Sequence, residues 1–577
     1  MTVLALVAVA VPASGALAAL VSTRADRVLC GFLWMASLPA LLLAVLGPPF
    51  ELAVPWLGLG AELELDSLGR VWLALAGTVW AVAGLTVPAL LGDPGQRGVR
   101  FASPFLATFA GAVLAALAAD VVTFFIGFAL VTYASYPLVV HDGTHKAVRA
   151  GRIYLQFAVV GEAVLLAGLV TAVAGTATTR LDALATHLAG APGAGAAATL
   201  LLIGCGVKAG MLGVHMWLPL AHPAAPVPAS AVLSGAIIKV GLLGWLRLLP
   251  TDGPELAGVG LAAVVVGVAG AFAGALVGTT QRDAKALLAY SSVSQIGLML
   301  TLVGIAVTTA APVAPAAAGL FAVHHGLAKA VLFLGVGVAQ RTTGRLRTAV
   351  LAGQAFAALT LAGAPLTTGM AAKTVLKDLA SQPWDPWGPV LDALLPWTGA
   401  ATTVLLGRLL WIQASEAHAG SVAAGGRRRL LMGWATALAL TAGVAWAIGE
   451  RWMPGVNLPA VTDLGAWWSQ AWPVIVGLVV LTLMLRWAEP PAVPAGDLLV
   501  PAGAATASVR RVARAAAAAL TPGARQVAGG FRRAAGEADR AASRAQARAE
   551  HVLAHWGVAG TGALVLLVAL SAALVGG

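Results

Sequence analysis

Long apolar runs return along nearly the whole length of this chain. The first covers Leu4 to Val21, and another covers residues 256–279. A run of about twenty apolar residues crosses the roughly 30 Å hydrocarbon layer of a bilayer as a helix. These runs are rich in Ala, Gly, Leu and Val and lack the two-residue alternation of barrel strands. Because backbone polar groups in lipid must be satisfied within the segment, the predicted fold class is an all-α polytopic membrane protein.

The composition supports this assignment. Hydrophobic residues make up 59% of the 577 residues and charged residues 10%, whereas soluble domains carry about 25% charged residues. The first apolar run has no positive charge before it and is followed by Arg24 and Arg27, so we expect a first span and not a cleaved signal. Cys30 and Cys205 lie in separate runs, which predicts neither a disulfide framework nor a thiolate metal site.

The apolar runs predict about sixteen transmembrane helices. They are placed at residues 3–21, 29–47, 71–91, 104–118, 121–140, 153–173, 196–213, 229–248, 256–279, 287–307, 313–339, 348–370, 388–411, 430–449, 470–486 and 557–576.

The loops between these spans explain the net charge of +11. Alternate loops, beginning with the first, carry Arg and Lys, whereas the intervening loops are acidic or nearly neutral, as at residues 51–66. The positive-inside rule then predicts that the basic loops are cytoplasmic and that the N-terminus is outside, in a bacterial-type cell inner membrane. Nucleic acid is not needed as a partner to explain the charge.

The composition changes after Arg486. A Pro-rich linker, a basic Ala-rich segment and a final span are predicted at residues 489–503, 508–555 and 557–577. In the basic segment, Arg540, Arg544 and Arg548 recur at helical spacing and form one polar face. The segment is predicted to be an amphipathic cytoplasmic helix. It either lies on anionic lipid or braces partner subunits laterally.

Seven ionisable residues inside the predicted spans are candidates for a proton pathway. They are Glu162, Lys208, Lys239, His324, His325, Lys329 and Lys373. A charge at the bilayer centre costs about 2.5–3.5 kcal/mol on insertion scales and marks a transport route by default. Lys208 and Lys239 are the deepest, whereas Lys329 and Lys373 are close enough to helix ends for their heads to reach the surface. The histidines alone would also suit simple packing, and it is the whole set that favours proton transfer.

Helix breakers lie beside two of these lysines. Three glycines surround Lys208 in IGCGVKAG, and Pro365 and Gly369 precede Lys373 in GAPLTTGMAAK. Discontinuous helices beside intramembrane charges are typical of transport sites.

The segment HDGTH places His141 and His145 four residues apart. Histidines at this spacing can hold zinc on a helix. The position of the segment in a basic loop beside Lys146 favours a solvated loop, so no metal is expected.

Four segments resemble one known family. GVKAGMLGVHMWLPLAHPAAPVPASAVLSGAIIKVGLLGWLRL resembles the most characteristic block of the antiporter-like membrane subunits of respiratory complex I, which also occur in Mrp-type cation/proton antiporters and energy-converting membrane hydrogenases. QRDAKALLAYSSVSQIG, HHGLAKAVLFLGVG and GAPLTTGMAAK resemble further signatures in family order, so the similarity covers residues 100–380 densely. The basic segment and the span after it are similar to the lateral and final helices of the largest such subunit.

The resemblance implies two inverted five-helix repeats, each with a broken helix, at residues 104–248 and 256–411. N-terminal helices at 1–103 precede the repeats, and additional helices at 430–486 follow them. It also implies a central axis along which protons pass. On this axis Lys208 is the broken-helix lysine of the first repeat and Lys239 the connecting lysine. His325 and Lys329 continue the axis, and Lys373 is the broken-helix lysine of the second repeat.

One position departs from the family pattern. Members of the family carry a glutamate that pairs with the first broken-helix lysine. In this sequence the matching stretch is FALVTYASY, and Ala129 stands at the position of that glutamate. Glu162 stands one helix further on, where the family usually has a small residue. One hypothesis is that Glu162 replaces the missing carboxylate as the partner of Lys208. The alternative is that proton uptake here is weakened or lost and that Glu162 only makes a local hydrogen bond.

The predicted function is a proton-translocating subunit of a complex I-like or hydrogenase-like redox complex. The sequence contains no phosphate loop, no iron–sulfur cysteine set and no convincing dinucleotide fingerprint, so we expect no cofactor here and partner subunits that supply the energy. The alternatives are the membrane subunit of a two-component, proton-driven inorganic-carbon uptake system with a zinc-containing partner, and a sodium/proton antiporter subunit. Sodium would need oxygen ligands at the midplane, whereas the candidate groups are mainly nitrogen.

Overall fold

The computed structural model describes residues 2–55, 60–91, 100–251, 254–309, 311, 313–382, 384, 386–416, 424–453, 455–460, 462–487 and 493–496. Within these ranges the chain is mostly helical, with one two-stranded sheet. The predicted basic segment and final span, and nearly all of the predicted linker, lie outside the described residues.

The N-terminal region consists of four helices and one β-hairpin. In chain order these are α1 (Thr2–Val21), α2 (Thr23–Cys30), α3 (Leu38–Leu46), β1 (Glu51–Val54), β2 (Ala61–Glu64) and α4 (Ser67–Leu91). The segments Thr23–Cys30 and Leu33–Leu46 meet at 80°, so the second predicted span is bent. The buried Asp26 carboxylate accepts backbone N–H bonds from residues 101–103. This contact caps the helix that starts there and holds α2 in its direction.

Eight helices follow the N-terminal region. They are α5 (Ala102–Leu117), α6 (Val121–Val139), α7 (His145–Thr176), α8 (Leu181–Leu188), α9 (Ala194–Ala209), α10 (Trp217–Ala224), α11 (Val227–Val232) and α12 (Ile238–Leu248). A π-helical turn at Leu233–Ile237 joins α11 to α12. Helix α9 ends because Gly210 adopts a left-handed φ of +78°, which glycine tolerates at a helix end.

The remaining part of the fold is again helical. Its elements are α13 (Ala257–Thr279), α14 (Ala284–Thr309), α15 (Ala314–Ala339), α16 (Gly344–Ala362), α17 (Thr368–Ala380), α18 (Trp387–Ser415), α19 (Ala424–Trp452) and α20 (Leu464–Trp487). Helix α16 ends at Gly363, whose φ is +91°. The span predicted at 348–370 is therefore interrupted at residues 363–367, where a left-handed glycine ends α16 and Pro365 lies in the break, as the helix breakers before Lys373 predicted.

Every predicted span within the described residues coincides largely with helix, and those at 196–213 and 348–370 extend past a helix end. Ten of the helices there are long and apolar enough to cross a membrane, and the bent pair of α2 and α3 would be an eleventh. The other four predicted spans correspond to α5, α9, α16 and α19, of which α5 and α9 are apolar but shorter. The polytopic all-α class is confirmed, whereas the total of sixteen spans stays a prediction.

The β-hairpin is held by a cluster of charges around Arg180. Its guanidinium group lies 3.1 Å from Asp182, 3.2 Å from Glu62, 3.6 Å from Glu51 and 3.7 Å from Glu64. Hydrogen bonding to Arg180 lowers the pKa of Asp182, and burial raises the pKa of Glu64. Such half-exposed ion pairs contribute little to stability. Their contacts instead position the hairpin next to the loop between α7 and α8, which carries Arg180.

Glycines set the packing of α13 against α14. A Cβ atom on Gly267 would lie 2.6 Å from the carbonyl oxygen of Gly297, and one on Gly304 would lie 2.6 Å from that of Gly260. Gly274 is equally close to the backbone of α14. Side chains are excluded at these positions, so the two helix backbones touch directly, as small residues allow in membranes.

Candidate functional site

The seven candidate residues all lie inside the helical core. Glu162, Lys208, Lys239, His324, His325, Lys329 and Lys373 each expose at most 8% of their surface. The expectation that the ammonium groups of Lys329 and Lys373 could reach the surface is therefore wrong, since both side chains are buried among the described residues. Their polar heads must be satisfied by the surrounding protein.

Lys208 lies in the last turn of α9, just before Gly210 ends the helix. Its Nζ donates to the carbonyl oxygen of Phe128 at 2.8 Å and to the hydroxyl of Thr132, both on α6. The ammonium also lies 4.0 Å from the centre of the Phe128 ring, a cation–π contact. Helix α6 thus holds Lys208 through positions on either side of Ala129. The sequence analysis did not identify Thr132. A hydroxyl group inside an apolar helix, one turn after Phe128, was the feature that could have indicated it.

Glu162 approaches Lys208 from α7. Its Oε1 atom lies 4.0 Å from Lys208 Nζ and has no hydrogen-bond partner among the described residues. Glu162, Lys208 and Thr132 line one small cavity. The carboxylate and the ammonium therefore share a cavity without a hydrogen bond, and a small side-chain movement brings them into contact.

Lys239 is the second residue of α12 and lies two positions after the π-helical turn. Its Nζ donates to the carbonyl oxygen of Ser234, inside that turn. Its own carbonyl oxygen accepts a bond from Trp72 Nε1 at 3.0 Å. π-Helical turns are rare and frequently lie at functional sites, because they change the backbone hydrogen-bond pattern. Here the altered backbone presents a carbonyl oxygen to a lysine side chain.

Two serines connect Lys239 with Lys329. The hydroxyl oxygens of Ser234 and Ser292 are 2.8 Å apart, and Ser292 donates to the carbonyl oxygen of Leu288 at 3.1 Å. Lys329 Nζ donates to the same carbonyl oxygen at 2.7 Å. Hydrogen bonds therefore extend from α12 through α14 to α15, and at each end the lysine donates to a backbone carbonyl oxygen and not to a serine hydroxyl. Sequence reasoning missed both serines, although hydroxyl groups inside such apolar helices were an available signal.

The two histidines of α15 have unlike surroundings. His324 Nδ1 lies 3.1 Å from the hydroxyl oxygen of Thr368, in the first turn of α17. Neither ring nitrogen of His325 has a hydrogen-bond partner among the described residues. Lys329 lies one helical turn after His325 on the same helix. A neutral imidazole offers one donor and one acceptor, which lets it pass a proton between neighbours.

Lys373 lies in α17, beyond the break after α16. Its Nζ donates at 2.9 Å to the carbonyl oxygen of Ala362, the last residue of α16. A Cβ atom on Gly363 would lie 2.7 Å from Lys373 Cδ, so glycine makes room for the lysine stem. Lys373, Lys377 and Gln470 line a small cavity. The ammonium thus binds the C-terminal end of α16, where the helix dipole is negative.

The lysines differ in their counterions. Within the part of the chain that the structure describes, Lys208 has a carboxylate within 4.0 Å. Lys239, Lys329 and Lys373 are instead held by backbone carbonyl oxygens. Their ammonium groups are therefore solvated by dipoles and not neutralised by charge.

The HDGTH segment is only partly the predicted solvated loop. Asp142 and His145 are exposed, but His141 is buried and packs edge-on against Phe101 with ring centres 5.3 Å apart. The ring fits between helices, which the loop pattern did not indicate. The described residues contain no group of three or more His, Cys, Asp or Glu side chains that could hold a metal.

Comparison with known proteins identifies relatives of the central region. A family described as NADH:quinone oxidoreductase/Mrp antiporter, TM, matches residues 118–381. NADH-quinone oxidoreductase subunit N of Cereibacter sphaeroides is 30% identical over 364 residues, which cover 61% of this chain and 75% of that protein. Hydrogenase-4 component B of Escherichia coli is 31% identical over 310 residues, which cover 51% of this chain and 45% of that protein.

A solved structure shares the fold. The structure of the Mrp complex from a Dietzia species superposes with a TM-score of 0.71 at 23% identity, covering 94% of this chain and 63% of that chain. The chain spans about half of the length of most curated relatives that it matches.

Proposed function

Because this chain belongs to the family of transmembrane subunits of NADH:quinone oxidoreductases and Mrp antiporters, we propose that it translocates protons along its buried lysines and histidines. It works as one subunit of a larger complex I-like or hydrogenase-like redox complex. Components of a quinone oxidoreductase and of a hydrogenase among its relatives support this choice. The chain contributes the proton route, and the partner subunits contribute the energy.

The hydrogen-bonded link between Lys239 and Lys329 carries this proposal. It joins the two regions that we assign to inverted five-helix repeats, 104–248 and 256–411. Its two serine hydroxyls can donate and accept protons, whereas the carbonyl oxygens of Ser234 and Leu288 accept hydrogen bonds from the two lysines. A core built only for packing would not bury ammonium groups and hydroxyls at this place, since each costs free energy in lipid. The link therefore supports passage from one repeat to the other.

Each group on the route has a proposed role. Glu162 and Lys208 take up the proton, and Lys239 passes it towards Lys329. His325 and His324 carry it from there to the broken helix of the second repeat. Lys373 releases it on the opposite side, beside the cavity that Gln470 lines. The expected order is Glu162, Lys208, Lys239, Lys329, His325, His324 and Lys373.

Glu162 is proposed as the replacement for the carboxylate absent at Ala129. Its separation of 4.0 Å from Lys208 Nζ and the shared cavity support this role. A lysine that alternates between a carboxylate and the oxygens of Phe128 and Thr132 changes its preference for the proton, because an opposite charge favours the charged form.

The surroundings of the lysines favour protons over sodium. Sodium needs several free oxygen ligands, as hard cations do. The carbonyl oxygens of Ser234, Leu288 and Ala362 already bind lysine ammonium groups. A metal cation at these oxygens would have to displace an ammonium and meet its charge.

The topology completes the proposal. We assign the N-terminus to the outside of a bacterial-type inner membrane and the basic loops to the cytoplasm. The segment 508–555 then lies on the cytoplasmic side, as a lateral brace along partner subunits, and 557–577 returns through the membrane. Lipid and protons are the other partners.

Purification of the complex from its native membrane through a tag on this chain tests the proposal. Partners with iron–sulfur or nickel centres are expected, together with proton uptake by vesicles that contain the complex. A lone zinc protein as partner would replace the redox assignment with the carbon-uptake alternative. Sodium movement without proton movement would contradict the proposed cargo.

Removing the serine link is expected to slow transfer between the two repeats. Ser292→Ala deletes the hydroxyl that joins Ser234 to the Leu288 carbonyl oxygen, so proton uptake by vesicles should fall. Ser291→Ala is the matched control, because Ser291 is equally buried on the same helix and its hydroxyl has no hydrogen-bond partner among the described residues. Equal rates for the two variants would show that the link does not carry protons.

A further inference from the structure

We propose that His222 is a second proton inlet, which receives protons from the loop at residues 281–285 through Lys285 and delivers them to Lys329. This inference rests on the proposed function, and it adds a route that joins the lysines at their midpoint. His222 lies on α10 and is not one of the seven candidate residues.

His222 is a buried imidazole whose polar atoms are unused. The residue is completely buried, and neither ring nitrogen has a hydrogen-bond partner in the described part of the chain. The ring stacks on Phe333, with ring centres 4.4 Å apart and planes 20° apart. Each unsatisfied buried polar group costs about 1–3 kcal/mol. Phenylalanine would make the same stack without this cost, so packing alone does not account for a histidine.

Lys285 connects the loop to the turn beside His222. It lies at the start of α14, next to the exposed Arg282 and Asp283. Its Nζ donates at 2.6 Å to the carbonyl oxygen of Ala225, three residues after His222. The half-buried stem of Lys285 thus reaches from the loop surface to the turn between α10 and α11.

The turn is itself fastened around the histidine. Ser230 donates to the carbonyl oxygen of His222 at 3.0 Å and lies 3.4 Å from that of Ala225. The same carbonyl group of Ala225 therefore binds Lys285 and faces Ser230. This arrangement fixes the backbone that carries the imidazole close to the lysine head.

Phe333 connects His222 to the other end of the proposed branch. The ammonium of Lys329 lies 5.9 Å from the centre of the Phe333 ring, on which His222 stacks. Lys285 thus binds the turn that follows His222, and Lys329 lies over the ring on which His222 stacks.

An imidazole in this position transfers protons without net change. One ring nitrogen accepts a proton that Lys285 gives up, and the other ring nitrogen releases its proton to Lys329 in its neutral form. Lys285 regains a proton from water at the loop surface. One proton has then moved from the loop to Lys329. The ring is neutral again but in the opposite tautomer, so it must turn over before the next transfer in the same direction.

The test measures proton flux into vesicles that contain the complex purified through this chain. His222→Phe keeps the ring stack on Phe333 and removes both nitrogens, and a partial loss of flux is expected. Because two inlets act in parallel, His222→Phe combined with Glu162→Gln should lose more flux than either change alone. His215→Phe is the matched control, since His215 is also buried against an aromatic ring, that of Tyr290, and should keep the wild-type rate.

A second variant keeps the inference testable if the His222→Phe protein does not fold. Lys285→Met interrupts the same branch from the loop side, so it should lower the flux as His222→Phe does, and the two changes together should be no worse than one. Unchanged flux in both His222→Phe and Lys285→Met would overturn the inference. A loss in His222→Phe as large as that in the double variant with Glu162→Gln would also overturn it, because the inlets would then not be parallel. If Lys239→Met kept full flux as well, the failure would lie in the proposed function.

Discussion

Replacing Lys239 with methionine is expected to stop proton passage from the first proposed repeat to the second while the chain still folds, so that only the His222 branch to Lys329 remains. Lys239 is completely buried at the junction of the two proposed repeats, and its Nζ is bound to the Ser234 carbonyl oxygen. Methionine fills a similar volume, so no large cavity forms. The variant loses one hydrogen bond to Ser234, whose unsatisfied carbonyl group costs about 1–3 kcal/mol. It also no longer has an ammonium to bury, which offsets part of that loss.

Proton uptake by vesicles, measured together with the partners that copurify, checks this expectation. The expected rate for Lys239→Met is the part of the wild-type rate that the His222 branch supplies, and Lys239→Met combined with His222→Phe should fall to the rate of vesicles without the complex. Leu242→Met is the matched control, because it places the same side chain at a buried position of the same helix. A Lys239→Met protein that assembles with the same partners and still moves protons at the wild-type rate would show that Lys239 is structural.

Glu162→Gln is expected to slow proton uptake severalfold, and Ala129→Glu is expected to restore part of the rate. Glutamine keeps the shape of the side chain but removes the charge that lies 4.0 Å from Lys208 Nζ. Two unit charges at this distance interact by about 4 kcal/mol at an effective dielectric constant of about 20, which is enough to change the protonation of Lys208. Position 129 adjoins Phe128, whose carbonyl oxygen binds Lys208, so a carboxylate there can reach the same ammonium.

The double variant distinguishes a moved carboxylate from a lost one. Flux is compared among the wild type, Glu162→Gln, Ala129→Glu, and the two changes together. Rescue by Ala129→Glu means that Lys208 needs a carboxylate and accepts it from either helix. A wild-type rate in Glu162→Gln would instead mean that this half of the chain works without a carboxylate or is not used.

The length and depth of apolar runs were sufficient to predict most of the fold. Each run predicted within the described residues is helical, because hydrocarbon thickness sets helix length and this constraint acts locally. Depth within a run also identified Lys208 and Lys239 as buried. The same reasoning failed for Lys329 and Lys373, whose nearness to apparent helix ends suggested exposure. Neighbouring helices cover both residues, and such contacts between distant segments are not visible in a local pattern.

The polar links between helices were beyond prediction for the same reason. The π-helical turn before Lys239 has no sequence signature, since Leu233 to Ile237 read as ordinary helix. The bond between Ser234 and Ser292 joins residues that are 58 positions apart. His222 stood inside a quoted family segment, but its unused ring nitrogens became apparent only from its surroundings.

The glycine contact between α13 and α14 determines which helices can move relative to one another. Leu288 and Ser292 lie on α14, whose backbone packs directly against that of α13 at Gly267 and Gly297. These two residues are therefore held in a fixed position relative to α13. Helices that meet backbone to backbone have no flexible side chains between them to absorb a displacement. Any movement that breaks the bond between Ser234 and Ser292 must therefore come from the π-helical turn and α12. A crosslink that locks α13 to α14 should leave turnover intact, whereas one that locks α12 to α14 should arrest it.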